Sequence, residues 1–204
     1  MRTGEIEQFE QLLEESVAFH GHLCAGQVIG VRMSMLGLRL VGIADPKGRD
    51  RKKLHVIVEI DRCATDAIQS VTGCRFGKRS MNFKDFGIMA ATFINLETSR
   101  AFRILASEDS RSMAQHYAPE IVDRYRQQVH AYKVMPEEAL FVVQKVEVSI
   151  PATNLPGRPL SRVRCEICGE WVQDGRELKD SGKKMCRSCG GQRYYRIISP
   201  GTDK

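Results

Sequence analysis

The sequence predicts an α+β core followed by a small metal-stapled module. Three observations lead there. Helix, helix, strand, helix, strands, helices and strand follow one another along residues 1–150 without the regular alternation of a βαβ array. Three prolines and a glycine crowd residues 151–159, opposing both helix and ladder pairing. Beyond them, four cysteines recur as two Cys-x2-Cys pairs. The expected organisation is a core at 1–150, a Pro-rich linker at 151–161 and a four-cysteine zinc finger at 162–204.

Each element has a local reason. Ile6, Phe9, Leu12, Leu13 and Val17 recur at helical spacing with Glu on the other face. A second helix is expected over 23–41, ending at Gly42, and its Gly26 and Gly30 lie one turn apart, as close packing of another backbone requires. Asp45-Pro46-Lys47-Gly48 reads as a turn. A strand is expected over 54–60, then a short helix starting near Asp66, with Gln69 as its capping-box partner, and ending at Gly73. Strands are expected around 87–96 and 101–106, helix over 110–131 with a break near Pro119, and a strand over 140–149.

Composition bounds the function. Of 204 residues, 42% are apolar and 27% charged, as in a soluble globular chain. No apolar run approaches the ~20 residues of a membrane span. The opening residues lack a secretion-signal layout, so a cytoplasmic location is expected. In a reducing compartment seven cysteines point to metal or reactive thiols rather than disulfides. The net charge of +6 sits almost wholly in the tail: residues 158–204 hold 11 Lys/Arg against 6 Asp/Glu. That is too little for a nucleic-acid stripe, though it favours docking on an acidic surface.

Cys165, Cys168, Cys186 and Cys189 carry the strongest motif. Two residues between thiols let both sulfurs of a tight turn reach one ion, and four sulfurs close a tetrahedron around zinc with no open position. This predicts a structural zinc. The module behind it braces a neighbour, binds protein or binds nucleic acid.

The core cysteines are less regular. His20-Gly21-His22-Leu23-Cys24 opens a helix whose dipole favours a thiolate, so Cys24 is expected to be more acidic than a free cysteine. Cys63 lies between a strand end and a helix start, and Cys74 just beyond that helix. If the two helix starts face each other, His20 or His22, Cys24 and Cys63 can share a second transition metal, zinc, with an open position. Otherwise these cysteines are small buried hydrophobes, His20 a cap and His22 a core residue. His55, His116 and His130 read as structural or surface residues. Gly73 to Lys78 is not a phosphate loop: Gly73 and Gly77 are too close, and Arg79 stands where Ser or Thr would bind magnesium. A backbone nest with Lys78 reaching an anion stays open. Asp85 is either a base or ligand, or the start of the next strand.

His20 through Gly26, and Cys63-Ala64-Thr65-Asp66-Ala67-Ile68-Gln69 continuing to Thr72-Gly73-Cys74 and Gly77-Lys78, resemble the FmdE family over about residues 15–150. That family takes its name from a component of formylmethanofuran dehydrogenase. The resemblance implies helices packed on a mainly antiparallel sheet, dimerisation, and a metal cleft lined by the matching histidines, cysteines and Asp66. Some members carry the same zinc module. Family members usually have Pro at Ala25, often Gly-Asn at Arg79-Ser80 and commonly Lys at Ile88, and the last two departures weaken anion binding near Lys78 and Asp85 as an expectation. The expected function is a zinc-binding protein of one-carbon metabolism or methanogenesis, either an accessory component of a larger enzyme complex or a small metalloenzyme, so whether it is an enzyme stays open. Cys63, Asp66 and Cys24 are the candidate catalytic residues, Lys78 and Asp85 the candidate substrate contacts. The alternatives are a regulatory protein whose finger contacts protein or nucleic acid, and a metal-delivery or sensing protein. A homodimer and a small-molecule ligand are expected, a membrane is not, and nucleic acid is disfavoured.

Overall fold

A computed structural model describes residues 3–198. The chain divides into two compact units between Ile150 and Pro151. In the first, α1 (Thr3–His20) and α2 (Ala25–Val41) precede β1 (Leu54–Val58), α3 (Cys63–Thr72), β2 (Met81–Phe83), β3 (Ala90–Asn95), β4 (Ala101–Ala106), α4 (Asp109–Tyr117), α5 (Arg124–Val134), α6 (Glu137–Leu140) and β5 (Phe141–Lys145). The sheet order is β2-β1-β3-β4-β5. Only β1 and β2 run parallel in it, and every other pairing is antiparallel. The α+β class is the one the element order predicts, and the mainly antiparallel sheet the one the family resemblance implies.

Helix α2 is the axis of this unit. It is apolar nearly all round and buried along most of its length, as a helix covered on every side must be. A Cβ on Gly37 would stand 2.4 Å from the Phe93 ring of β3, and one on Gly30 only 2.5 Å from the Ala64 carbonyl of α3. Missing side chains therefore seat α2 against the sheet and against α3. Gly42 ends the helix in the left-handed region (φ 74°).

Several boundaries differ from expectation. Helix α3 begins at Cys63 rather than near Asp66. Arg62 caps it without a side-chain bond, so no cap signal marks the start. Thr65 fastens the turn instead, its hydroxyl donating to the Ile60 carbonyl at 2.6 Å and its N–H to that of Arg62 at 2.7 Å. The Asp66 carboxylate turns to His20 rather than serving a capping box. Strand β2 gave no sequence signal, being three residues long. The 110–131 stretch is two helices separated around Pro119, as expected.

Two buried polar groups set the behaviour of the sheet. Glu59, just past β1, accepts both Nε and Nη2 of Arg103 on β4 at 2.7 Å. His55 on β1 is fully buried, with Nε2 2.8 Å from the Asn82 side chain and Nδ1 without a partner. Burial holds this imidazole below its usual pKa of 6.5. Its stabilising contribution is therefore present above pH 6.5 and is lost as pH falls through the depressed folded value, where the unfolded chain binds the proton that the fold resists. Thermal unfolding followed by helical circular dichroism should show a falling midpoint below about pH 6.5. In His55→Gln that slope should flatten, and an unchanged slope would place the titrating group elsewhere.

The second unit is two short ribbons. β6 (Arg162–Arg164) pairs antiparallel with β7 (Trp171–Gln173), and β8 (Leu178–Asp180) with β9 (Lys183–Met185). No helix among the described residues is long and apolar enough to cross a membrane.

Candidate metal centres

In the second unit the four sulfurs of Cys165, Cys168, Cys186 and Cys189 all lie within 4.8 Å of one another. The first pair flanks the turn between β6 and β7, closed by the Gly169 N–H on the Cys165 carbonyl at 3.0 Å. The second pair follows β9, and the Cys189 N–H donates to the Cys186 sulfur at 3.4 Å. Backbone N–H groups of Cys168 and Cys186 bring the Cys165 thiol down to about 6, whereas its neighbours' sulfurs push Cys189 up to about 12. Four thiols this close cannot all ionise on their own. A cation among them removes the conflict, because coordinated thiols lose their protons outright.

The first unit brings together a second group. A ring nitrogen of His20 and the sulfurs of Cys24 and Cys63 lie within 4.8 Å of one another. His20 ends α1, Cys24 is the N-cap of α2, and Cys63 opens α3. The two helix starts converge because a Cβ on Gly26 would come within 2.8 Å of the Cys63 Cβ. Gln27, fully buried, locks the arrangement: its amide donates to the Cys63 carbonyl at 2.6 Å and it accepts from the Ser16 hydroxyl.

His20 Nδ1 lies 2.8 Å from the Asp66 carboxylate. Its Nε2 is buried and has no hydrogen-bond partner. A buried ring nitrogen is rarely left so, and a carboxylate on the opposite nitrogen is the usual support of a metal-bound histidine. Cys63 is half-buried on the wall of a cavity of about 460 Å³, with His20 and Asp66 beside it and Val58, Ile60, Phe76 and Phe83 as apolar walls.

The thiol of Cys24 departs from expectation. Burial, with Cys63 adding to it, pushes it above its usual value, and the N–H groups of Gln27 and Gly26 offset this only in part. The helix start does pull toward the thiolate, yet without a cation desolvation wins.

His22 lies outside the converging set. It is exposed, its ring 4.6 Å from that of His20. Lys78 sits on the turn Phe76–Lys78 and lines a separate depression with Phe19, Lys47 and Arg75. Asp85 is exposed in the loop after β2. Neither lines the Cys63 cavity. Cys74 is a core residue whose thiol burial pushes up, and His116 and His130 are exposed. Two neighbours escaped the sequence reading. Gln27 is a polar residue inside an apolar helix, one turn after Cys24, and that isolation was the available signal. Tyr125 at the start of α5 gave none; partial desolvation and then the nearby thiols of Cys24 and Cys63 push its phenol up.

Residues 19–142 match the family model described as FmdE, molybdenum formylmethanofuran dehydrogenase operon. The chain belongs to the FmdE family. The matched FmdE region contains every residue of the converging His20, Cys24 and Cys63 set and stops before the four-cysteine unit. An FmdE-like protein of the tungsten formylmethanofuran dehydrogenase type, from Syntrophus aciditrophicus, has the same fold, with a TM-score of 0.62 at 21% identity, covering 92% of this chain and 95% of that one. The chain is also 29% identical, over 95% of its length, to a probable S-adenosyl-L-methionine-binding protein of Archaeoglobus fulgidus. It spans 56% of that curated relative.

Proposed function

We propose that this FmdE-family chain carries two zinc ions, a structural one on the four tail cysteines and a functional one held by His20, Cys24 and Cys63. In this reading it serves one-carbon metabolism as an accessory component of a larger enzyme or as a small metalloenzyme. The observation that carries it is the convergence of a His20 ring nitrogen with two thiols, on a ring whose buried Nε2 has no hydrogen-bond partner. Three donors with a cavity at the fourth side suit a working site, whereas four closed donors suit a structural one. The donor chemistry fits: imidazole and thiolate are zinc's preferred ligands.

The ion would supply Lewis acidity to a carbonyl or water entering the cavity. The chain's own residues prepare the place. Asp66 holds the Nδ1 proton of His20, which fixes the tautomer and leaves Nε2 as the nitrogen with a lone pair to offer. Gln27 fixes the Cys63 backbone, and Phe76 and Phe83 give the cavity apolar walls. His22, Lys78 and Asp85 stand apart from this set. The same reading puts the protein in the cytoplasm, where its free thiols stay reduced, as a homodimer able to join a larger complex.

Cys63→Ser should lose one metal equivalent by elemental analysis while the tail keeps its own. Retention of both equivalents would defeat the reading. A second reading has the finger dock on protein or nucleic acid. Exposed Trp171 lies under the Arg162 guanidinium at 4.9 Å, and Tyr195 under that of Arg193 at 5.3 Å, as on stacking surfaces. Affinity for single-stranded nucleic acid that falls steeply with salt would favour it.

A further inference from the structure

The geometry points to a second ligand site, for a small monocarboxylate with an apolar body, in the cavity where α1, α2 and the 43–47 loop meet. This cavity, of about 460 Å³, does not share a lining residue with the Cys63 cavity. Its volume is that of a small-molecule pocket.

Arg32 lines it and is the reason for the assignment. The side chain projects from the middle of α2 and is only 4% exposed. One of its terminal nitrogens donates to the carbonyls of Tyr132 and Met135, at 2.7 and 2.5 Å, where α5 ends. Among the described residues no carboxylate pairs with it; Glu137 and Glu138 act only from farther off, and burial draws its pKa down. A buried guanidinium satisfied by neutral carbonyls alone lacks its counter-charge.

The other cations around the cavity are already matched. Arg39 pairs with Glu137 at 2.5 Å and Lys47 with Glu15 at 2.8 Å. The Asp45 carboxylate is engaged by the N–H groups of Gly48 and Arg49, both at 2.9 Å. Arg32 is thus the one lining cation with no carboxylate at ion-pair distance among the described residues, and its complement is one carboxylate. A carboxylate matches the guanidinium fork in shape and charge. A phosphate also fits the fork but is opposed more strongly, because Glu5, Glu15, Asp45 and Glu137 outnumber the three lining cations and repel a doubly charged anion about twice as much as a singly charged one. Leu12, Met35, Leu38, Ile43 and Val71 line the remainder, which selects an apolar body behind the carboxylate.

Calorimetric titration of the full-length, metal-loaded protein with 4-methylvalerate tests this, with inorganic phosphate as the comparison. Saturable binding of the carboxylate and none of phosphate is expected. Arg32→Met should weaken binding about tenfold or more, the worth of one charge-assisted pair. Met35→Phe narrows the cavity without touching Arg32 and should weaken it too, so the inference stays testable if Arg32→Met misfolds. Cys63→Ser should bind as the native protein does, since this site stands apart from the proposed core metal. No saturable binding, equal binding of phosphate, undiminished affinity in Met35→Phe, or loss of binding in Cys63→Ser would each overturn the inference.

Discussion

Removing metal with a strong chelator, or substituting Cys186→Ser, is expected to unfold the second unit while the first keeps its helical signal. The apolar material there is small: Cys165, Met185 and Cys186, with Val172, Leu178 and Cys189 packed against them. Its ribbons are three residues per strand. Such a unit cannot offset its own ordering entropy, whereas structural zinc contributes about 10–16 kcal/mol at neutral pH. Trp171 is the chain's one tryptophan and stands in this unit, so its emission reports on the tail alone. Limited proteolysis should then cut within residues 165–189. Continued protection after complete metal removal would show that side-chain packing suffices.

Arg103→Ala should be the most damaging single change in the first unit, costing about 3–5 kcal/mol. It leaves the Glu59 carboxylate, 5% exposed, without its bidentate partner, and Gln144 without the Nη1 donor at 3.0 Å. Arg103→Lys keeps the charge but not the fork, so it should fall between. Urea unfolding read by helical signal measures both. A loss in Arg103→Ala below about 1 kcal/mol, the level of an exposed pair, would mean that water reaches Glu59. The pair also matters to the site, because Glu59 fixes the end of β1 shortly before Cys63: its N–H donates to the Ala90 carbonyl, and its carbonyl accepts from Phe86 and Ile88.

What the sequence disclosed followed range along the chain. The tail cysteines are legible because each pair is one turn and its meaning lies in local spacing. Helix α2 is legible because its apolar run ends at a glycine that takes the left-handed conformation. The core site was legible only in pieces. Cys24 and Cys63 are each marked by a helix start, and Gly26 and Gly30 announced close packing, but nothing local names what packs there. The pairing of His20 with Asp66 joins residues 46 positions apart, and no periodicity carries that information. The lift of the Cys24 thiol was invisible for the same reason, since the dipole is a property of one helix and desolvation a property of the whole core. The start of α3 was misplaced because Arg62 occupies the cap with backbone geometry alone.

The glycine contacts of α2 have one more consequence. Where Gly26 and Gly30 meet α3, there is no room for a Cβ, because the Cys63 and Ala67 Cβ atoms and the Ala64 main chain already stand there. The separation of the Cys24 and Cys63 main chains is thereby set by the backbone, like the gauge of a rail, and only the χ1 angles of the two cysteines are left to tune the distance between their sulfurs. A larger occupant can be admitted only by prising two helices apart, which would expose a helix that is otherwise covered along most of its length.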